Sequence, residues 1–167
     1  DFTKAVFMDL GAEMHFWKLA IRPGQPLAFG KIQGKLAFGL PGNPVSSMVT
    51  FEQLVRPAML KMGGHRRYGR PVVQALFQEK FSKRSDRRHF LRGVLTTDDG
   101  VFKVRTTGDQ GSGILTSMVK ANCLIDIPEA VERVNPGDVV TVQLLSGQGF
   151  AGKSEPQHEP GNRLSCC

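Results

Sequence analysis

The chain runs to 167 residues, with 22 Lys and Arg against 15 Asp and Glu, a formal charge of +7 and 40% hydrophobic residues. That length holds one medium domain or two small ones. No stretch approaches the ~20 apolar residues of a membrane helix, and no charged start followed by an apolar run marks a secretory signal, so no membrane role is expected. Cys123 reads as a buried thiol in an apolar run, and Cys166 and Cys167 end the chain. None of the three has zinc or disulfide spacing, which points to a reducing cytoplasm. The chain opens on Asp1 rather than Met and enters mid-pattern, which reads as a piece of a longer protein.

The first piece is expected over 1–64. Thr3 to Leu10 has helical character and Gly11 is a natural stop. Met14 to Ile21 alternates as a strand, Pro23-Gly24 signals a turn, and Leu27–Ile32 with Lys35–Leu40 form a hairpin about Gln33-Gly34. The apolar run Leu36 to Leu40 reads as a buried strand. It breaks into Pro41-Gly42-Asn43-Pro44, and a helix starts at once, with Asn43 as N-cap and Pro44 at the first helical position. That helix places Met48, Phe51, Val55, Met59 and Met62 on one face, expected to be core. Pro57 removes the backbone bond to Gln53 and should kink it, and Gly63-Gly64 ends it.

The second piece is expected over 65–146. Pro71 to Phe81 alternates, with Val73, Ala75 and Phe77 on one face, as does Phe90 to Leu95. Val101–Arg105 follows the hairpin signal Asp98-Asp99-Gly100. A short helix is expected from Ser112, with Ile114, Leu115, Met118 and Val119 inward. Cys123–Ile127 and Val139–Leu145 complete the set, the latter entered through Asn135-Pro136-Gly137-Asp138. Short strands with such frequent turns suggest a small β-barrel. From 147 to 167 the composition is rich in Gly, Pro, Ser, Gln and Glu, and a disordered tail is expected.

The charge is concentrated. Between Lys61 and Arg92 lie ten Lys and Arg but only Glu79 and Asp86. Aromatic interleaving is sparse and no nucleic-acid motif occurs, so this is expected to be a solvated basic surface with some part in gathering small anions, not a nucleic-acid site. His15, His65, His89 and His158 have no ligand spacing, and no Ser-His-Asp or Cys-His arrangement is visible.

Two readings of the Pro41–Ser47 loop stand side by side. It is a well-capped strand-to-helix turn, or an anion site built from the N–H groups of Val45, Ser46 and Ser47 and two hydroxyls. Lys18 and Arg22, four apart, share a face if their segment is extended: either two cations converging on an anion or the wet face of an edge strand. Ser112, between Gly111 and Gly113, reads as an N-cap or as part of an oxyanion cradle.

Three segments taken in order, His15 to Gly30, Phe38 to Ser47 and Thr107 to Asn122, resemble the C-terminal part of the MoeA and gephyrin E-domain family, over roughly residues 1–145. The resemblance implies an α/β fold: the end of an α/β molybdopterin-binding domain, then a small β-barrel. It implies a molybdopterin molybdenumtransferase, which inserts molybdate into adenylated molybdopterin and releases AMP, with Mg²⁺, as a homodimer. It assigns catalytic roles to Asp1, Lys18 and Arg22, with Asp1 a possible Mg²⁺ ligand. Cofactor binding falls to Pro41, Asn43, Pro44, Ser46 and Ser47, and molybdate to Arg92 and Ser112. Asp1 matches the last residue of an acidic loop whose other members are not in this chain, so a fragment inactive alone is expected. The family's Lys-Pro-Gly-Lys-Pro stretch reads Arg22-Pro23-Gly24-Gln25-Pro26 here; Gln25 keeps hydrogen bonding and loses a charge. A gephyrin-like scaffold that binds peptides is the alternative function.

Overall fold

The structure is a computed structural model that describes residues 2–84 and 86–145; the expectations for Asp1 and for the 147–167 tail lie outside it. Helix α1 (Thr3–Asp9) turns back at Gly11 into an antiparallel sheet of β1 (Glu13–Lys18), β3 (Pro26–Ile32) and β4 (Lys35–Gly39), in the order β1-β3-β4. The β3–β4 turn holds Gln33 and Gly34 at φ 50° and 77°, the left-handed pair that a two-residue hairpin demands.

Two expectations fail in this sheet. The strand expected over Met14–Ile21 is broken: β1 stops at Lys18, and Ile21–Arg22 form a separate β2 that pairs in parallel with the barrel strand β7 (Arg88–Asp98). Register shifts after Met14 and Phe16 bend β1 away from β3, and the amide of Leu19 bonds the carbonyl of Gln25, closing a loop. The run Leu36–Leu40 is not a buried strand either. Strand β4 lies at the sheet edge, with Leu36 exposed and the next residues half-buried.

The helical stretch after Pro44 is α2 (Pro44–Thr50), a π-helical turn (Phe51–Val55) and α3 (Arg56–Met62). The wide turn accommodates Pro57, which sits in the first turn of α3, where its missing N–H costs little. The expected core face is corrected. Met48, Phe51, Met59 and Met62 are exposed, Met62 by 70%, and Val55 is half-buried. The buried apolar residues are Val45 and Val49, one helical turn apart, which pack with Phe90, Met118 and Leu124 on the outside of the barrel. The π turn changes the residues per turn, so a face drawn at intervals of three and four does not persist across it.

Strands β5 (Val72–Phe77), β7, β8 (Val101–Thr106), β9 (Cys123–Ile127) and β11 (Val139–Leu144) close a five-stranded barrel in the order β7-β8-β5-β11-β9, with β9 pairing back to β7. A ribbon of β6 (Phe81–Ser82) and β10 (Arg133–Val134) lies beside it. Alternation places Ala75, Phe77, Leu91, Leu95, Val104, Cys123, Ile125 and Val142 inside. Strand β9 is buried on both faces because its outward Leu124 meets α2 while Cys123 and Ile125 fill the barrel. Burial in this apolar setting pushes the Cys123 thiol up to about 12, which keeps it protonated and inert.

Helix α4 (Leu115–Lys120) begins three residues later than expected and turns Ser117 and Met118 inward, leaving Leu115 and Val119 exposed. The basic run is partly structural. Arg70 makes a two-pronged pair with Glu52 at 2.8 and 2.9 Å, Arg88 does the same with buried Asp126, and buried Lys83 donates to the carbonyls of Arg87 and Glu129. Among the described residues no helix is long and apolar enough to cross a membrane.

Candidate functional site

Where β2 leaves the first sheet for the barrel, the Arg22–Gln25 loop is wedged between α2 and β7. Gly24 holds φ at 105°, and a Cβ there would lie 2.5 Å from Thr50 Cγ2, so the loop approaches α2 more closely than any side chain permits. Thr50 is itself fixed by donating its hydroxyl to the carbonyl of Ser46 at 2.8 Å.

Two adjoining clefts open on this loop, each of about 380 Å³, sharing Arg22, Pro23 and Gln110. The first is lined by Arg22, Gln25, Ser46, Arg87, Gln110 and Ser112. The second is lined by Arg22, Lys83, Arg84, His89 and Arg92, with Asp109 as its one carboxylate among the described lining residues. The excess of guanidinium and ammonium groups, with hydroxyl and amide donors between them, suits a small multiply charged oxyanion.

The Pro41–Ser47 loop contributes differently from the local reading. Asn43 does not cap α2 with its side chain; its Nδ2 reaches 3.2 Å to Ser112 Oγ across 69 residues of sequence, and its buried Oδ1 has no partner. Ser47 Oγ turns back to the carbonyl of Pro41, and the amide of Ser47 bonds the carbonyl of Asn43, so this residue's donors are already used. Ser46, buried, is the loop hydroxyl that lines the cleft. Pro41 is buried and Pro44 exposed, both outside the two cleft linings.

Arg92 is 1% exposed, with Nε donating to Ser117 Oγ at 3.0 Å and Nη2 to the carbonyl of Gly111 at 3.1 Å. Burial lowers its pKa and the Asp109 carboxylate opposes that. Gln110 binds the same residue's main chain, accepting from the Arg92 amide at 2.8 Å and donating to its carbonyl at 3.2 Å. The Asp109–Ser112 loop is thus held to β7 by Arg92 and Gln110, and Ser112 is set at the cleft with its own side chain exposed. Ser112 does not cap α4; Ile114 occupies that position.

The structure therefore brings Arg22, Ser46 and Ser112 to one cleft, with Asn43 bonded to Ser112 behind it and Arg92 in the adjoining cleft. It separates Lys18 from them: the Lys18 ammonium lies 4.3 Å from the Trp17 ring centre, in neither cleft, because β1 ends there and the shared face assumed for positions 18 and 22 does not exist. Sequence spacing missed Gln25 as a partner for Arg87, whose Nη1 donates to its Oε1 at 2.8 Å. It also missed His89, 5% exposed, with Nε2 buried and unpartnered. Burial first, then the charges of Lys83, Arg22 and Arg87, push His89 down to about 4, so it is neutral at pH 7. Neither residue belongs to a local motif, and both acquire their roles only when β2 docks on β7. Among the described residues no three His, Cys, Asp or Glu cluster as a metal site, and Asp1, the possible Mg²⁺ ligand, lies outside them.

Comparison with known proteins agrees with this architecture. Residues 1–61 match the family model described as "Probable molybdopterin binding domain", and residues 74–145 match that of the "MoeA C-terminal region (domain IV)". The chain is similar to a molybdopterin molybdenumtransferase of Haemophilus influenzae, 40% identical over 145 residues, covering 86% of this chain and 36% of that protein. It is also similar to molybdopterin molybdenumtransferase 1 of Mycobacterium tuberculosis, 33% identical over 88% of this chain and 36% of the relative. A crystal structure of a molybdopterin biosynthesis moeA protein from Pyrococcus horikoshii superposes with a TM-score of 0.69 at 34% identity, over 87% of this chain and 35% of that one. The chain thus spans about a third of the length of these relatives. With a molybdopterin-binding segment followed by a MoeA C-terminal barrel, and relatives of that name along most of its length, the chain belongs to the MoeA family of molybdenum cofactor biosynthesis.

Proposed function

We propose that this chain is the C-terminal part of a molybdopterin molybdenumtransferase, and that the cleft between the Arg22–Gln25 loop, α2 and the Asp109–Ser112 loop receives molybdate. The observation that carries this is the convergence of Arg22, Ser46 and Ser112, three chain segments apart, on one cation-rich cleft. In this reading the divisions are 1–64 and 65–146 with a tail beyond, and the whole enzyme is a cytoplasmic homodimer that takes adenylated molybdopterin and releases AMP.

The chemistry asks little covalent work of the protein. The pterin thiolates attack molybdenum, and oxide leaves as water once protonated. The chain's contribution is to hold the oxyanion and offset its charge until ligand exchange occurs. Arg22 supplies a planar, permanently charged fork; the Ser46 and Ser112 hydroxyls donate to remaining oxygens; Arg92 and Gln110 keep Ser112 in place. Asn43, tied to Ser112, links the Pro41–Ser47 loop, assigned to molybdopterin, to the molybdate side. Lys18, outside the cleft, is assigned to parts of the substrate other than the oxyanion.

Calorimetric titration of the chain with molybdate tests the reading. Binding that is lost in Arg22→Ala and weakened in Ser112→Ala supports it; equal affinity in both variants and the unmodified chain overturns it. The scaffold alternative has one observation in its favour, an apolar groove lined by Leu40, Met48, Phe51, Met118 and Leu145. It leaves the cationic cleft without a purpose, and the enzyme reading is preferred.

A further inference from the structure

We propose that the second cleft is a phosphoryl site, distinct from the molybdate cleft beside it, with the buried ammonium of Lys83 as its anchor. The group it takes is the phosphate carried by the pterin substrate, and on that point the proposal rests on the function proposed above.

Lys83 lines the second cleft and is 7% exposed. It is fixed at both ends. Its amide donates to the carbonyl of Glu132 at 2.9 Å, and its Nζ donates to the carbonyls of Arg87 at 2.6 Å and Glu129 at 2.9 Å. An ammonium has three donors, and both of these acceptors are neutral. Among the described residues no carboxylate stands within ion-pair distance of Lys83. Its charge is therefore solvated by carbonyl dipoles without being cancelled, and one N–H has no partner among the described residues. A buried charge in that state is costly unless a ligand completes its surroundings. The same wall feels its field: Lys83 and Arg22 help to hold His89 neutral, and the buried Nε2 of His89 has no partner.

The remaining lining favours a dianion. Arg22 and Arg84 bring guanidinium groups, buried Arg92 adds a further positive charge, and Asp109 is the one carboxylate among the described lining residues. Lys83 is already ordered by the fold, so it loses little freedom on binding. At about 380 Å³ the cleft has room beyond a bare tetrahedral oxyanion, as a phosphate ester needs for the group it is attached to. The two clefts share Arg22, Pro23 and Gln110. A phosphate in one and molybdate in the other are therefore neighbours, which is the proximity that a pterin and its incoming molybdate require.

The test is calorimetric titration of the complete chain with inorganic phosphate and with AMP, each with and without saturating molybdate, every variant also being melted. Both phosphates should bind, and should still bind at saturating molybdate with no more than about tenfold loss. Lys83→Met keeps the bulk of the stem and removes the charge; it should weaken phosphate by about tenfold or more and leave molybdate affinity unchanged. Arg84 is exposed, so Arg84→Ala should weaken phosphate severalfold at an unchanged melting temperature, and it tests the site even where Lys83→Met does not fold. Complete displacement of phosphate by molybdate means a single shared site; it overturns the proposal and leaves the molybdate cleft standing. Phosphate affinity unchanged in Arg84→Ala, and in Lys83→Met where that variant folds, also overturns it. AMP bound more than about tenfold more weakly than inorganic phosphate shows a site for free anions and refutes the ester as its ligand. Failure of the unmodified chain to bind either phosphate removes the second site, and molybdate binding by the same chain shows that the reading beneath it has not failed too.

Discussion

His89 should make the stability of this protein fall in mild acid, by an amount the structure bounds. The imidazole is 5% exposed, its Nε2 has no partner, and Lys83, Arg22 and Arg87 all act on it. The other charged groups around the second cleft, Arg84 and Arg92 against Asp109, leave the surroundings positive. Its pKa is lowered from 6.5 to about 4 in the folded chain. Above 6.5 it is neutral in both folded and unfolded states and contributes no pH dependence. As the pH falls below 6.5, the unfolded chain takes up the proton and the folded chain does not, so stability is lost until the pH reaches about 4 and is level thereafter. At about 1.4 kcal/mol per pKa unit, the loss approaches ~3 kcal/mol as an upper bound, because a local shift of Phe81 or of the Arg22 loop could admit water.

The measurement is the urea midpoint of the chain and of His89→Leu at a series of pH values from 7.5 to 3.5. Every other ionisable group is common to both proteins, so only the difference between the two curves reports His89. That difference should be flat above pH 7 and change by 1–3 kcal/mol in favour of the variant by about pH 4. Parallel curves throughout would refute the assignment of a buried neutral imidazole, as would an imidazole resonance of His89 titrating near pH 6.5.

The corrected helix face predicts that Val49→Ala costs about 2 kcal/mol by chemical denaturation, whereas Met59→Ala stays within about 0.5 kcal/mol; the reverse order would restore the methionine face as core. Arg92→Ala should lower stability by about 3 kcal/mol, because Ser117 Oγ and the Gly111 carbonyl lose a buried charged donor, and thermal melts read this directly. Ser112→Ala should leave the melting temperature unchanged and weaken molybdate binding about fivefold, as a neutral donor of ~1 kcal/mol would; a stability loss with normal binding would return Ser112 to a structural role. Glu52→Gln should cost about 1 kcal/mol at low salt and less at high salt, since the Arg70 pair is only partly shielded from water.

The barrel was largely legible in the sequence because its strands alternate and its turns carry their own chemistry. Asp99 and Gly100 take the left-handed conformations that their position after Asp98 implied, and Asn135-Pro136-Gly137-Asp138 closes with the Asp138 amide on the Asn135 carbonyl. The failures share one cause, which is that periodicity describes an element without its neighbours. The Met48–Met62 face is as regular as any in the chain, yet the barrel packs on Val45 and Val49 instead. Met14–Ile21 alternates continuously, but two sheets compete for it, and the second takes Ile21 and Arg22 by pairing with β7.

The candidate site was legible only in part for the same reason carried one step further. Arg22, Ser46, Arg92 and Ser112 could be named from motifs, but the geometry among them is set by side chains bonding across the junction. Asn43 to Ser112, Gln25 to Arg87 and Gln110 to the Arg92 backbone span 69, 62 and 18 residues. Asn43 had a good local explanation, as N-cap, and there the long-range partner prevailed. An amide that bonds a distant chain segment leaves the local need to be met otherwise. At Asn43 the helix start still has Pro44 at its first position, with one fewer orphan N–H, and the Ser47 amide on the Asn43 carbonyl. The helix thus starts without a side-chain cap, and the asparagine of the Pro-Gly-Asn-Pro loop instead ties the α2 side of the cleft to the Asp109–Ser112 loop.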